Sequence, residues 1–223
     1  MKKTTLITTF SVFTVLIFTS LVIFSSWAAA QEATPVKLPP PQTDGGKPLM
    51  QVLNERASSR EFSPEKLPMQ VMSDLLWAAW GINRPDSGKR TAPSARNRQE
   101  IDIYVAAEDA LYRYDAENHA LIAVMNEDIR AYTGKQEFVK TAPVNLIYVA
   151  DYSKVSGQSP EDKTFYAGAD TGFISENVYL YCTSAGLATV VRGYVDKPAL
   201  EKKIGLGPEK KVTLCQSVGY HKK

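Results

Sequence analysis

Helical spacing of apolar residues predicts four helices along this chain. The second begins at Pro68, because proline suits a first helical turn, and ends at Gly81. The third carries apolar side chains on more than one face, so we expect it to be buried nearly all round until Gly186 ends it. A weaker helical pattern covers residues 127–140. The four helices are predicted over residues 49–54, 68–81, 164–185 and 197–204.

Apolar runs predict the strands. Residues 101–105 alternate between apolar and polar side chains, residues 111–114 and 120–124 flank a polar turn, and residues 144–150 form a continuous apolar run that predicts a buried strand. Two further strands are predicted at residues 188–191 and 212–218. Because helices and strands are mixed without strict alternation, and no internal repeat is present, the pattern predicts an α+β fold.

The N-terminal region has the pattern of an export signal. Residues 1–30 combine a positive start, an uncharged apolar stretch and Ala28-Ala29-Ala30, so we expect cleavage after Ala30 and a periplasmic or extracellular protein. The alternative is an uncleaved anchor in the inner membrane, since the stretch is long enough to span a bilayer. Residues 31–48 are rich in proline and glycine and predict an unordered linker, which leaves a single folded domain at residues 49–223.

Charge and cysteine content narrow the possible functions. The chain has 26 basic and 24 acidic residues, and the excess lies in Lys2 and Lys3, so no nucleic-acid partner is expected. Cys182 and Cys215 lie in apolar runs, where burial as small hydrophobic side chains is favoured, although an exported protein could pair them. With 2 histidines and no metal-ligand spacing, no metal site is predicted.

Three polar clusters could carry chemistry. Arg56, Ser58 and Arg60 combine forked cationic donors with a hydroxyl, which suits a phosphate. Asparagine and glutamine in the second cluster offer the paired donors and acceptors that a flavin pyrimidine edge requires. The third follows Gly186, where backbone N–H groups could approach a planar ring. Taken singly, each also fits an ordinary surface turn, basic loop or core strand. The second and third clusters comprise Pro93, Ser94, Asn97, Gln99, and Val190, Val191, Arg192, Gly193.

Together these clusters resemble the nitroreductase-like flavoproteins, and most closely the branch that includes the thiazoline/oxazoline dehydrogenases. The resemblance covers residues 49–221 and depends on four motifs in a fixed order. They are Arg-x-Ser-x-Arg at Arg56, Pro-Ser-Ala-x-Asn-x-Gln at Pro93, Asp-x-Gly at Asp170 followed by Ala-Gly-Leu at Ala185, and Val-Gly-Tyr at Val218.

The resemblance implies a homodimer with FMN at the subunit interface and the long third helices packed together. Arg56, Ser58 and Arg60 would hold the phosphate and ribityl end of FMN. The 93–99 loop would meet the isoalloxazine ring, and the backbone of residues 190–193 would lie near its N5 atom, with the Arg192 N–H as the expected N5 partner. Family members often carry a later basic residue that reaches the phosphate; here only Lys222 and Lys223 remain to replace it.

The resemblance further implies an FMN-dependent oxidoreductase of nitroreductase or dehydrogenase type. Hydride would pass through flavin N5 to or from a small organic substrate, so no catalytic acid or base is assigned. Because an exported enzyme meets little NAD(P)H, its electron donor stays open between NAD(P)H and another compound or protein. The alternatives are a non-catalytic flavin-binding or electron-carrier protein, and a flavin-cleaving enzyme.

Overall fold

The computed structural model describes residues 35–155 and 159–223, so the predicted signal at residues 1–30 lies outside the described residues. Short 3-10 turns connect several elements. The helices are α1 (Leu49–Glu55), α2 (Met69–Trp80), α3 (Pro160–Ala185) and α4 (Lys197–Lys203). The strands are β1 (Val36–Lys37), β2 (Ile82–Arg84), β3 (Lys89–Arg90), β4 (Ile101–Ala106), β5 (Leu111–Asp115), β6 (Ala120–Met125), β7 (Val144–Asp151), β8 (Leu187–Arg192) and β9 (Lys210–Tyr220).

A seven-stranded sheet in the order β1-β6-β5-β4-β7-β9-β8 organises the domain. All of its strand pairs are antiparallel, which confirms the α+β prediction. Strand β7 lies inside the sheet, between β4 and β9, and its side chains alternate between two core clusters, with Tyr148 on the α2–α3 face and Ile147 on the α4 face. Strand β8, which carries the third polar cluster, lies at one edge.

The two cysteines belong to these opposite faces. Cys182 packs in the cluster with α2 and α3, and Cys215 packs in the cluster with α4. Both are fully buried and unpaired within the described chain. Burial raises the pKa of the Cys215 thiol to about 12 and also raises that of Cys182, so both remain neutral at ordinary pH.

The linker prediction is wrong for the described residues 35–48. Val36 pairs with Leu121 as an edge strand, and Leu38 is only 3% exposed. The Ser73 hydroxyl donates to the Pro39 carbonyl at 2.6 Å. Proline lacks a donor but keeps its acceptor, and β6 offers an open edge, so a proline-rich segment with one buried leucine can still be ordered.

Two helix predictions are also corrected. Residues 127–140 form two 3-10 turns, Arg130–Thr133 and Glu137–Lys140, separated by the extended Gly134. Helix α3 begins earlier than expected, where the Ser159 hydroxyl caps it. In a single chain α3 is not buried all round, since Phe165 is 69% and Phe173 is 48% exposed. None of the helices within the described ranges is long and apolar enough to cross a membrane.

Candidate cofactor site

The first and third polar clusters meet at the open edge of β8. The Ser59 N–H donates to the Thr189 carbonyl at 2.9 Å. The Tyr179 hydroxyl, on α3, lies 2.8 Å from Ser58 Oγ and accepts from the Val191 N–H at 3.0 Å. The Arg56 guanidinium carbon lies 5.2 Å above the centre of the Tyr179 ring. Tyr179 therefore fixes the Arg56–Arg60 loop against β8, a role that the sequence pattern did not reveal because this tyrosine counts only as an apolar helix position.

The alternation of β8 decides which of its N–H groups is available to a ligand. Thr189 and Val191 turn their backbone polar groups to the open edge, so the even-numbered residues turn theirs to β9. Arg192 pairs with Cys215 in that ladder, and its N–H is directed into the sheet. The next edge-facing N–H belongs to Gly193, which is exposed. The Arg192 N–H was expected to face a ligand, but it is directed towards β9. The N–H group at the open edge is that of the next residue, Gly193.

The side chain of Arg192 is buried and structural. Its guanidinium donates to the Thr133 carbonyl at 2.5 Å, to Asn145 Oδ1 at 3.0 Å and to Ser217 Oγ at 3.1 Å. These acceptors are all neutral, and burial lowers the pKa of Arg192. A Cβ on Gly134 would lie 2.1 Å from Arg192 Nη1, which explains the glycine between the two 3-10 turns. Arg192 thus holds the Thr133–Gly134 segment beside the end of β8.

The second cluster, the 93–99 loop, has an unusual backbone. Three non-glycine residues have left-handed φ angles, namely Arg96 at 55°, Asn97 at 54° and Gln99 at 50°. Ser94 Oγ accepts from the Gln99 N–H at 3.0 Å, while Pro93 and Asn97 are exposed. Conformations of this kind persist where the surroundings over-determine them, often at ligand sites.

This loop does not join the Arg56 cluster within one chain. The Ala95 N–H donates to Asp170 Oδ2 at 2.9 Å, and Gln99 Oε1 accepts from Arg90 Nε at 2.7 Å. These contacts connect the loop to α3 and to the β2–β3 hairpin. The structure therefore brings together the first and third predicted clusters, whereas the second, the 93–99 loop, contacts other parts of the chain.

The Arg56 cluster has the charge of an anion site. Neither Arg56 nor Arg60 forms an ion pair with any residue in the described ranges, and Ser58 and Arg60 are exposed. Phe62 forms an isolated antiparallel β-bridge with His221, so residue 221 lies beside the segment that follows Arg60. A cavity of about 540 Å³ beside this bridge is lined by Tyr220, Lys222 and Lys223, but also by Glu65, and it includes none of the three residues of the Arg56 cluster. Two guanidinium groups without ion-pair partners in the described ranges, beside a serine hydroxyl, suit a phosphate group.

The large antiparallel sheet flanked by helices is the architecture of the nitroreductase fold. A family model described as the nitroreductase family matches residues 53–220, most of the chain. The chain belongs to the nitroreductase family and is a flavin oxidoreductase of that family.

Similar proteins agree with this assignment. A protein of Methanocaldococcus jannaschii, provisionally named a nitroreductase, is 32% identical over 155 residues, covering 65% of this chain and 78% of that protein. A provisionally named nitroreductase from Ralstonia eutropha JMP134, solved by crystallography, has a TM-score of 0.82 at 39% identity, covering 86% of this chain and 92% of that chain.

A more distant likeness extends over most of the chain. It is with the Escherichia coli microcin synthetase complex McbBCD, solved with truncated pro-MccB17 bound. The TM-score is 0.65 at 18% identity, covering 92% of this chain and 85% of that chain. At this identity the likeness shows the fold alone.

Proposed function

We propose that this protein is an FMN-dependent oxidoreductase that acts on a small organic substrate outside the cytoplasm. The observation that carries the proposal is the convergence of Arg56, Ser58 and Arg60 on the open edge of β8, without acidic partners. Two guanidinium groups and a hydroxyl match the charge and donor geometry of the FMN phosphate. The donor set therefore fits the cofactor that the family resemblance implies.

The active form in this proposal is a homodimer. The 93–99 loop, which would meet the flavin ring, contacts α3 and the β2–β3 hairpin rather than the phosphate cluster of its own chain, so a second copy would supply it. Exposed apolar side chains on α3 and α1 support such a contact, because their exposure to water is unfavourable and a second copy would bury them. They are Phe165, Phe173, Leu49, Met50 and Leu53.

The residues of the site bind and orient rather than exchange protons. FMN, when bound, supplies hydride transfer through its N5 atom. The Gly193 N–H is placed to donate to a ring atom at the edge of β8. The exposed Asn97 would offer its amide to the pyrimidine edge. Gln99, whose amide bonds to Arg90, Gly88 and Asn97, would support the loop together with Pro93 and Ser94. The dipoles of these side chains and of the Gly193 N–H would favour negative charge on the flavin ring.

Export, proposed from the sequence of residues 1–30, favours a donor other than NAD(P)H. The proposed reaction is therefore oxidation of a small organic compound or quinol, with a second substrate as the electron acceptor. A flavin carrier without turnover, or a flavin-cleaving enzyme, would hold the same cofactor. Donor screening and product analysis distinguish these three functions.

The first experiment tests flavin binding. The purified protein is mixed with FMN, desalted and examined for flavin absorption, alongside Arg56→Ala/Arg60→Ala. The control is Lys66→Ala/Lys202→Ala, which removes the same charge at exposed positions outside the site. We expect flavin to remain in the parent and the control and to be lost from the Arg56/Arg60 variant. A parent that retains no flavin would refute the proposal.

A further inference from the structure

A pair of buried acids lies directly behind the 93–99 loop. Glu100 follows the loop, at the start of β4, and Asp170 lies on α3; each is only 1% exposed. No hydrogen-bond donor within the described residues reaches Glu100 Oε2. The Asp170 carboxyl is the charged group next to Glu100 that, after burial, does most to raise the pKa of Glu100. Two carboxyl groups can share a hydrogen bond only when one of them carries a proton.

The same pair holds the loop in its left-handed conformation. Asp170 Oδ2 accepts from the Ala95 N–H at 2.9 Å, at the start of the turn that contains Arg96 and Asn97. Glu100 fixes the other end through its carbonyl, which accepts from the Asp151 N–H at 2.8 Å. A loop with three strained residues needs such fixed points, since each left-handed residue costs about 1 kcal/mol or more.

We propose that Glu100 and Asp170 are positioning residues for the flavin, and that the proton they share holds the 93–99 loop in its binding conformation. This inference rests on the proposed function, because it assumes that the loop meets FMN. Loss of the proton leaves two buried carboxylates in contact, which separate and release the Ala95 N–H. Flavin binding is therefore coupled to the protonation of a pair that does not touch the flavin.

Burial and the charged groups around the pair place the loss of this proton near neutral pH. Burial, followed by the neighbouring Asp170 carboxyl, raises the pKa of Glu100 to about 7, against the opposing effect of Arg98. The Lys154 ammonium, from the turn after β7, donates to the Gln99 carbonyl at 3.1 Å and lies 3.7 Å from Asp102. Lys154 therefore bonds to neighbours of the pair, whereas the buried Arg98 Nη1 has no hydrogen-bond partner among the described residues, and the transition falls near neutral pH.

The experiment measures FMN affinity by fluorescence quenching between about pH 6 and pH 8 for the parent and Glu100→Gln. Glutamine keeps the shape and can donate to Asp170 at every pH. In the parent we expect affinity to fall about tenfold for each pH unit above the pKa of the pair, as for release of one linked proton. In Glu100→Gln the change should be less than about twofold beyond that of free FMN. The exposed Glu117→Gln should behave as the parent.

Two further measurements keep the test decisive. Asp170→Asn preserves an acceptor for Ala95 and removes the charge, so it should flatten the same profile even if Glu100→Gln folds poorly. In the flavin-free parent, the raised pKa of Glu100 gives stability that is fully present below about pH 4.5 and lost as pH rises through about 7. Glu100→Gln should lack this loss, whereas Asp170→Asn should only reduce it, because burial still raises the pKa of Glu100.

The possible results separate this inference from the proposed function. Flavin binding with the same pH profile in the parent and both variants would overturn the positioning role and leave the function intact. Absence of flavin binding at every pH would overturn both.

Discussion

Removal of one hydroxyl, by Tyr179→Phe, tests whether α3 organises the phosphate site. The hydroxyl makes two bonds, to Ser58 Oγ at 2.8 Å and from the Val191 N–H at 3.0 Å. A net contribution of about 0.5–1.5 kcal/mol for each bond predicts a loss of about 1–2 kcal/mol in the free energy of unfolding, because the Val191 N–H can recover only part of its bonding from water. The same loss lowers Tm by roughly 2–8 °C for a domain of this size.

FMN affinity should also fall. Ser58 would lose the partner that orients its hydroxyl, and Arg56 would retain only the ring beneath it, so the affinity should decrease about three- to tenfold. Urea unfolding followed by circular dichroism gives the stability change, and a quenching titration gives the affinity. The m-value should stay unchanged, since the buried surface is the same.

Tyr181→Phe is the matched control on the same helix. Its hydroxyl is 3.4 Å from the Val71 carbonyl, at the limit of a hydrogen bond, so the change should cost less than about 0.5 kcal/mol and leave FMN affinity intact. Equal effects of the two substitutions on both measurements would refute the view that Tyr179 connects the Arg56 loop to β8.

Three other predictions concern the fold, the dimer and the chain end. Gly219→Ala places a Cβ 2.5 Å from the rigid ring of Pro143 and should cost about 1–3 kcal/mol in urea unfolding, whereas Gly207→Ala, with nothing within 4 Å, should cost less than about 0.5 kcal/mol. Phe173→Glu should yield a monomer by light scattering that no longer retains FMN; a dimer of normal affinity would contradict the proposed interface. Lys222→Ala should weaken FMN binding about two- to fivefold at low salt and less at high salt, and an effect independent of salt would exclude a charge contact with the phosphate.

Local pattern was sufficient for most elements. The continuous apolar run predicted β7, and Gly186 was expected to end α3, where it has a left-handed φ of 70°. These features depend on neighbours within a few residues, so the spacing of side chains and the special backbone of glycine determine them. The residue types of the three polar clusters, and the charge that suits a phosphate, are likewise properties of the sequence.

Tertiary structure decided how these clusters are arranged. Ser58 meets Tyr179, and Ala95 meets Asp170, across sequence separations that no local pattern can bridge. The register of β8 against β9, rather than its composition, turns the Arg192 N–H inward and the Gly193 N–H outward. An open edge on β6 orders a segment that composition predicted to be a linker. The sequence by itself determined which groups are available for chemistry; packing and strand pairing determined which of them face the same space, because both depend on contacts between distant parts of the chain.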